Sequence, residues 1–213
     1  VVTHGIEVGL LDGTALDRYD GRTLKRYTKN DGLAGDRYSA IHVDEKNRVW
    51  LFSTVGLTSI EGNRIVTHIP DSLTLPESFD DIQSDERGTL WMLKTGDGLY
   101  SYDGSSWMKY RDEIGGAITR DVSMAVRKKG TVCLTNNSRL YLFDGHTWVQ
   151  DQEVFAFPFP KLFRDAYDRL WLFNSTSYIT FVYDGTGWQS YSSGSYNPGM
   201  YLCRDMDGSL WIS

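Results

Sequence analysis

A short aromatic-acid-glycine signature recurs along this chain at an almost constant interval. Each copy has a large apolar residue, usually Tyr or Phe, followed by an acid and a glycine, and the glycines are Gly21, Gly62, Gly104, Gly145 and Gly185. Successive glycines lie 41, 42, 41 and 40 residues apart. A fixed period of this length indicates stacked copies of one structural unit, since a single unit cannot bury its apolar faces alone.

A second element runs in phase with the first. An Asp precedes a Trp by six residues in four copies: Asp44 and Trp50, Asp85 and Trp91, Asp165 and Trp171, Asp205 and Trp211. Arg127 and Cys133 occupy the same two positions in the remaining copy. Strand-like repeats of 40 to 45 residues are typical of β-propeller blades.

One repeat shows how such a blade is encoded. Segments A (38–43), B (48–53), C (57–60) and D (64–69) have strand character and are separated by turn residues. The polar turn between A and B ends at Asn47, a residue type that tolerates the left-handed conformation. We therefore predict an all-β fold, a β-propeller of four-stranded antiparallel blades.

The repeats account for the whole chain as one propeller domain or fragment, 1–213, with about five blade equivalents. We predict complete blades at 38–69, 79–110, 121–151 and 161–191, a half blade with only C and D at 1–27, and a half blade with only A and B at 200–213. The two halves have two interpretations: they pair and close a five-bladed ring, or the chain is a piece of a larger propeller. We favour the second, because the last motif stops at Ser213, just before the turn that follows it elsewhere.

Composition excludes several classes of function. A net charge of −6 and a pI of about 5.2 argue against a nucleic-acid partner, which requires clustered Lys and Arg. No apolar run is long enough for a membrane span, so we expect no membrane contact by this segment, and no signal peptide begins it. Cys133 and Cys203 are expected to be free core thiols.

No catalytic or metal-binding motif stands out. The four histidines, His4, His42, His68 and His146, form no His-Glu-x-x-His or Cys/His cluster, and no nucleophile elbow or phosphate-binding glycine loop is present. We expect no catalytic residue, no metal and no cofactor. The repeated Asp-containing turns are assigned a structural role, in which the carboxylate caps backbone amides and the glycine supplies a positive φ. The repeated Trp residues are assigned to the core between blades.

Function should lie where the repeats differ, on the loops of a regular framework. If A is the innermost strand, the D–A and B–C connections share one rim of the central channel, and that rim is the predicted binding face. Carboxylates, amides and cations beside aromatic rings suit sugar recognition. The alternative is that the loop aromatics fill the channel. The predicted ligand-binding residues are Arg37, Tyr38, Phe79, Asp80, Lys94, Arg120, Asp121, Asn136, Phe159, Lys161, Asn174, Tyr196 and Asn197.

The repeat resembles that of the two-component regulator propeller family, approximately D-x-x-G-x-L-W-I-G-T-x-x-G-L-x-x-Y-D-G. Residues 85–104 match it at nearly every position, and a Trp three residues after the turn glycine (Trp107, Trp148, Trp188) adds to the likeness. Departures are concentrated in 121–151, where Arg127 and Cys133 replace Asp and Trp.

The resemblance implies an extracytoplasmic sensor of a bacterial signal-transduction receptor. Members of this family are sensory parts of receptors whose stimulus often resembles an oligosaccharide. By this resemblance we expect a periplasmic or extracellular, non-enzymatic module that binds an oligosaccharide or another small ligand and takes part in dimerisation within a receptor. Two alternatives are a protein-interaction propeller, with a polypeptide bound at the rim, and a propeller lyase or glycosidase using a rim carboxylate such as Asp80 or Asp121.

Overall fold

The chain folds into short strands joined by tight turns. A computed structural model describes residues 2–3, 6–11, 15–19, 22–35, 37–114, 116–118, 122–136, 139–151, 160–165, 167–174, 179–192, 202–204 and 210–212. Within these ranges the regular elements are 22 strands and two three-residue 3-10 helices, Lys29–Asp31 and Asp112–Ile114. The predicted all-β class is confirmed.

The strands form five four-stranded sheets and one two-stranded sheet among the described residues. Sheet 1 contains β1 (Val2–Thr3), β2 (Ile6–Leu11), β3 (Ala15–Tyr19) and β4 (Leu24–Tyr27). Sheet 2 contains β5 (Tyr38–Val43), β6 (Val49–Ser53), β7 (Gly56–Glu61) and β8 (Arg64–His68). Sheet 3 contains β9 (Asp81–Ser84), β10 (Leu90–Lys94), β11 (Gly98–Tyr102) and β12 (Trp107–Tyr110). Sheet 4 contains β13 (Ser123–Val126), β14 (Val132–Asn136), β15 (Arg139–Phe143) and β16 (Trp148–Gln150). Sheet 5 contains β17 (Pro160–Arg164), β18 (Leu170–Asn174), β19 (Ile179–Tyr183) and β20 (Trp188–Ser192), and sheet 6 contains β21 (Leu202–Arg204) and β22 (Leu210–Ile212).

Each strand pairs with the next strand along the chain, so every four-stranded sheet is a meander of strands A, B, C and D. Sheets 2 to 5 correspond to the four predicted complete blades. The N-terminal segment differs from its prediction as a half blade: β1 and β2 precede β3 and β4 and give sheet 1 four strands. The repeat signature does not mark these two strands, because β2 has neither the preceding Asp-containing turn nor the Trp that marks strand B elsewhere.

The A–B turns of sheets 2 and 5 are organised by a buried carboxylate. Asp44 Oδ1 accepts hydrogen bonds from the backbone amides of Lys46 and Arg48, both at 2.9 Å. Its Oδ2 accepts from Arg48 Nε at 2.7 Å and from the Trp50 indole at 2.9 Å. The same four bonds recur around Asp165, donated by the amides of Tyr167 and Arg169, by Arg169 Nε and by Trp171 Nε1. In these two sheets, the Asp that lies six residues before the Trp therefore bonds the turn to the strand that follows it.

In sheets 2 to 5, the fourth residue of the A–B turn adopts a left-handed backbone. The φ values are 59° at Asn47, 94° at Gly88, 88° at Gly130 and 63° at Asp168. Non-glycine residues rarely adopt this region, and Asn and Asp are the two that do so most readily. The predicted left-handed Asn47 is confirmed.

The Asp of the aromatic-Asp-Gly motif caps the C–D turn, as predicted. Asp103 Oδ1 accepts from the amides of Ser105 and Ser106 at 2.8 and 2.7 Å, and the turn glycine that follows, Gly104, has φ 102°. Asp144 and Asp184 cap their turns in the same way. These carboxylates are committed to local structure.

The core lies between consecutive sheets. Trp50, Phe52 and Leu57 of sheet 2 pack against one face of sheet 3, made of Ile82, Leu90, Met92, Tyr100 and Tyr102. Cys133, with Ala125 and Leu140, meets the equivalent face of sheet 5, made of Leu162, Leu170 and Leu172 with Phe181, Tyr183 and Trp188 at its margin. Leu16 and Tyr27 of sheet 1 meet Leu51 and Ile60 of sheet 2. Cys133 is fully buried in the Trp position, as predicted for a core thiol, and burial raises its pKa well above the ordinary value.

The chain divides into two compact units, Val1–Lys94 with Tyr100–Met108, and Thr95–Leu99 with Lys109–Ser213. In the first unit, strand A of sheet 2 lies beside strand A of sheet 3, where His42 Nε2 is 2.8 Å from Ser84 Oγ. In the second unit, strand A of sheet 4 lies beside strand A of sheet 5, where the Leu162 amide donates to Ser123 Oγ at 2.9 Å. Within each unit, neighbouring sheets thus meet along their first strands.

Candidate functional site

The predicted ligand-binding residues that the structure describes share one position in their sheets. They lie where strand A begins or strand B ends, which is the same edge of an antiparallel pair. In sheet 3, for example, the Asp80 amide donates to the Leu93 carbonyl at 2.8 Å, which places Asp80 beside Lys94. This end of each sheet lies opposite the A–B turn.

Asp80 and Lys94 form the polar centre of this edge in the first unit. Lys94 Nζ donates to Ser78 Oγ at 2.9 Å and lies 3.4 Å from Asp80 Oδ1. Both charged side chains keep substantial contact with solvent, and Arg37, which precedes strand A of sheet 2, is exposed. A cation, a carboxylate and a hydroxyl are therefore presented within a few ångströms of one another, an arrangement that can bind a polyhydroxylated or zwitterionic ligand.

The two predicted aromatic residues of this unit are buried beneath that edge. Phe79 belongs to the core between sheets 2 and 3, with its ring 4.4 Å from that of Phe52 and 5.2 Å from that of Tyr100. The Tyr38 hydroxyl donates to the Gly35 carbonyl at 2.8 Å. Of the two roles considered for loop aromatics, the geometry of Phe79 and Tyr38 favours packing, so neither ring is available for stacking on a sugar.

In the second unit, Asn136 is also enclosed. Its side-chain amide is fully buried at the end of β14 and donates to the carbonyl oxygen of Ile114 at 2.9 Å. Ile114 and Ile118 are themselves fully buried, and the Gly96 amide donates to the Ile118 carbonyl at 2.8 Å. The D–A loop that precedes sheet 4 is therefore held against the sheets by apolar side chains, and Asn136 satisfies its backbone.

In sheet 5, Lys161 is the second residue of strand A and Asn174 is the last residue of strand B. Lys161 is exposed and pairs in register with Phe173, while Asn174 pairs with Pro160. The remaining predicted residues lie outside the residues that the structure describes: Arg120, Asp121, Phe159, Tyr196 and Asn197. The binding role of the whole set stays a prediction.

Three polar residues at this edge, Ser78, Asp97 and Lys109, were absent from the sequence prediction. Ser78 holds the Lys94 ammonium group, and Asp97 of the B–C turn accepts from Lys109 Nζ of strand D at 2.6 Å. Their positions close to predicted residues are visible in the sequence. The contact between Asp97 and Lys109, twelve residues apart, follows only from the register of sheet 3. The sequence signal that could have identified Ser78 is its location two residues before Asp80.

The carboxylates of the opposite end of the sheets have different electrostatics. Burial raises the pKa of Asp44, but the hydrogen bonds from the Trp50 indole and from the Arg48 amide and guanidinium outweigh it, so that the net pKa lies below the ordinary aspartate value. The pKa of Asp165 is lowered by the same combination. Hydrogen bonds from backbone amides of Ser106 and Ser105 lower the pKa of Asp103. These groups are held as ionised acceptors, which suits them to turns and not to general acid chemistry.

The described residues bring no three His, Cys, Asp or Glu side chains together as a group that could hold a metal ion. Among the same residues, no helix has the length and apolar content needed to cross a membrane.

Comparison with known proteins identifies the fold. No family model matches the sequence, and no curated protein matches it. Solved structures do match. The extracellular domain of BT4673 from B. thetaiotaomicron, described as a hybrid two-component system, superposes with a TM-score of 0.64 at 17% identity over 98% of this chain and 32% of its own. YCF48 bound to D1 peptide has a TM-score of 0.61 at 15% identity over 100% of this chain and 79% of its own.

A third match is an enzyme, the catalytically inactive virginiamycin B lyase from Staphylococcus aureus with quinupristin. Its TM-score is 0.57 at 12% identity, over 82% of this chain and 62% of its own. The chain thus spans less than two thirds of the lyase and about a third of the two-component domain. The predicted β-propeller fold is confirmed, and the structural neighbours include the receptor class that the sequence resemblance indicated.

Proposed function

We propose that this chain is a non-enzymatic sensor propeller of a bacterial signal-transduction receptor, placed in the periplasm or outside the cell, and that its stimulus is an oligosaccharide. The observation that carries the proposal is the division of labour between the two ends of the sheets. The repeated carboxylates bind the amides of their own turns at one end, whereas Asp80 and Arg37 are exposed and Lys94 is partly exposed at the other. The similarity to an extracellular two-component domain supports it.

The described residues of the site indicate which contacts a bound sugar would make. Phe79 and Tyr38 are buried, so Lys94, Ser78 and Asp80 would contribute hydrogen bonds to hydroxyl groups. Stacking would come from the predicted aromatics of the other loops, Phe159 and Tyr196. We therefore expect a ligand with several hydroxyl groups and an affinity that depends on polar contacts of sheet 3.

A glycan panel tests the proposal directly. Binding of labelled oligosaccharides to the 213-residue chain should be detected for at least one glycan class and should fall about tenfold in Lys94→Met and Asp80→Asn. Arg87→Met is the matched control, because Arg87 is an exposed cation at the opposite end of the same sheet and should leave binding unchanged. Absence of any glycan binder, or equal losses in all three variants, would contradict the proposal.

A protein-interaction function is the second candidate, with dimerisation within a receptor as one form of it. The observation in its favour is the structural match to a propeller that was solved with a peptide bound. Affinity capture tests this function. Recovery of one stable polypeptide partner by the wild type, its loss with Lys94→Met, and no displacement of the partner by any sugar would favour protein interaction over the sensor function.

An enzymatic function has the structural match to a lyase in its favour. It requires turnover of a substrate that is lost in Asp80→Asn or Asp121→Asn. The sequence lacks the closely spaced His and Glu expected of such lyases, and we propose the non-enzymatic function ahead of it.

A further inference from the structure

The Trp-bearing faces of the sheets are covered in a regular way. In sheet 2, Trp50 is 2% exposed and lies edge-on to Tyr102 of sheet 3, with ring centroids 6.3 Å apart. Trp107 of strand D packs against the same cluster. Tyr102 and Trp107 flank one C–D turn, as the aromatic of the aromatic-Asp-Gly motif and the Trp three residues after its glycine. The β-hairpin of strands C and D in sheet 3 therefore covers the outer part of the Trp50 face of sheet 2.

The last strand of each covered sheet joins this contact. His68 of strand D in sheet 2 has Nδ1 2.9 Å from the Tyr102 hydroxyl. Tyr110 holds the same position in sheet 3, and its ring lies 5.9 Å from those of both Phe143 and Trp148, the two aromatics that flank the C–D turn of sheet 4. Both strand D residues are half-buried as a result.

Sheet 5 presents the same face with much greater exposure. Trp171 occupies the Trp50 position but is only half-buried, and Tyr191 occupies the Tyr110 position but is 52% exposed. The register Phe173–Thr180–Tyr191 places Tyr191 on the Trp171 side of the sheet, and the rings of Trp171 and Tyr191 are stacked at 6.4 Å. We call the surface formed by Tyr167, Arg169, Trp171 and Tyr191 the sheet-5 aromatic face.

A cation adds to this face. Arg169 lies over the rings of Tyr167 and Trp171 at 5.2 and 5.4 Å, and Tyr167 is 69% exposed. Its counterpart Arg48 has a side chain 24% exposed against 41% for Arg169, because Arg48 faces the A–B turn of the following sheet, close to Gly88. The A–B turn of sheet 4 also reaches the following sheet, through Arg127 Nη2, which donates to the Asp184 carbonyl of a C–D turn at 3.2 Å.

We propose that the sheet-5 aromatic face is a docking site for a β-hairpin with the pattern aromatic-Asp-Gly-x-x-Trp. The aromatic residue of the hairpin packs on Tyr191 and Trp171 as Phe143 packs on Tyr110 and Tyr102 packs on Trp50. The hairpin Trp covers the strand D margin, and Arg169 meets the backbone carbonyls of the hairpin turn. This occupant is favoured because it is the one that covers the matching faces of sheets 2 and 3, whose aromatic residues are the same or similar.

The chain itself supplies the probe. A peptide with the sequence of residues 98–110, closed by a disulfide between cysteines added at its two ends, carries Tyr102 and Trp107 in the required positions. Closure is needed because an isolated two-stranded hairpin is marginally stable in water. Fluorescently labelled peptide is titrated with the 213-residue chain and binding is followed by anisotropy.

We expect saturable binding that weakens at least about tenfold in Tyr191→Ser. Tyr191 is chosen because its exposure makes the substitution compatible with folding. Tyr19→Ser removes another exposed tyrosine, in sheet 1, and should bind the peptide as the wild type does. A peptide carrying both Tyr102→Ser and Trp107→Ser should not bind.

Other outcomes overturn the proposal. Absence of binding at about 1 mM peptide, or equal binding of the two peptides, would show that the face does not recognise this hairpin. Self-association of the chain in sedimentation, abolished by Tyr191→Ser and unaffected by the peptide, would identify a second copy as the occupant instead.

Discussion

The A–B turns of sheets 2 and 4 have the same backbone and opposite side chains. In sheet 2, the Asp44 amide donates to the Arg48 carbonyl at 3.0 Å and the Asn47 amide donates back to Asp44 at 2.9 Å. In sheet 4, the Arg127 amide donates to the Thr131 carbonyl at 2.8 Å and the Gly130 amide donates back to Arg127 at 3.0 Å. An anion begins the first turn and a cation begins the second.

The side chains direct their bonds to different places. Asp44 binds inward, to its own turn and to Trp50 of its own sheet. Arg127 binds outward, to the Asp168 carbonyl of sheet 5 at 2.8 Å and to the C–D turn of the same sheet. The backbone and a left-handed fourth residue therefore specify the turn, while the side chain of its first residue decides whether the turn stabilises its own sheet or the contact with the next sheet.

The largest effect is expected from removing the inward-binding carboxylate. Asp44→Ala leaves the Trp50 indole and the Arg48 guanidinium without a buried acceptor, and should lower the free energy of unfolding by about 3 kcal/mol. Asp103→Ala, in an exposed C–D turn, should cost clearly less. Denaturant titrations of both variants measure the difference. Equal losses would show that the buried position of Asp44 adds nothing to its capping role.

The same carboxylate predicts a dependence on pH. Because the pKa of Asp44 is lower in the folded chain than in the unfolded chain, its stabilisation is complete above about pH 4 and is lost as the pH falls through the folded-state value. Wild-type protein should therefore lose stability more steeply than Asp44→Ala in this acid range. Parallel curves for the two proteins would contradict the assignment.

Restoring the motif Trp in sheet 4 should be harmful. Cys133 is fully buried against Leu162, Leu170 and Leu172, so Cys133→Trp inserts a large ring into a filled space and should cost about 2 to 3 kcal/mol. Cys133→Ala changes the volume only slightly and should cost less than the Trp variant. If Cys133→Trp melts like the wild type, the core of sheet 4 has room for the motif Trp. The outward-binding turn at Arg127 would then not depend on a small side chain at position 133.

Two turn glycines separate backbone strain from the Arg127 contact. Gly145 and Gly185 have φ values of 103° and 108°, but a Cβ at Gly185 would lie 2.5 Å from Arg127 Nη1, whereas a Cβ at Gly145 would meet nothing within 4 Å. Gly145→Ala should cost about 1 kcal/mol and Gly185→Ala about twice that.

The excess at Gly185 should disappear in the Arg127→Met background, which removes the clashing guanidinium. Thermal melts of the wild type, Gly185→Ala, Arg127→Met and the double variant give this double-mutant cycle. An excess that persists without the guanidinium would assign it to the backbone.

The sequence predicted the local features of these turns and not their contacts with other sheets. Strand order, the two kinds of capped turn and the Trp positions could be predicted because each repeats at a fixed period and depends on local chemistry. The outward role of Arg127 could not, because its partners Asp168 and Asp184 lie 41 and 57 residues away and become neighbours only when two sheets pack.

The candidate site was predicted less completely for a related reason. Asp80 and Lys94 lie at the same end of sheet 3, as the sequence predicted, and their binding role stays a prediction. The sequence does not distinguish a loop aromatic that faces solvent from one that fills the core, as Phe79 does. Burial depends on the path of each D–A loop, and these loops do not repeat. Sequence periodicity thus predicts the framework, whereas the side chains that could bind a ligand depend on the irregular part of the chain.

The smallest effects are expected at the left-handed turn residue itself, and they should differ in sign between sheets. Asn47→Gly relieves the cost of a left-handed non-glycine residue and should raise the free energy of unfolding by about 0.5 kcal/mol or less. Asp168→Gly offers the same relief but removes the acceptor of the Lys128 amide at 2.7 Å and the ion pair with Arg127 at 3.4 Å, and should cost about 1 kcal/mol. Denaturant titrations resolve the two directions. If both glycine variants were stabilised, the contact between sheets 4 and 5 would not depend on Asp168, and the outward-binding turn would contribute no more than its backbone.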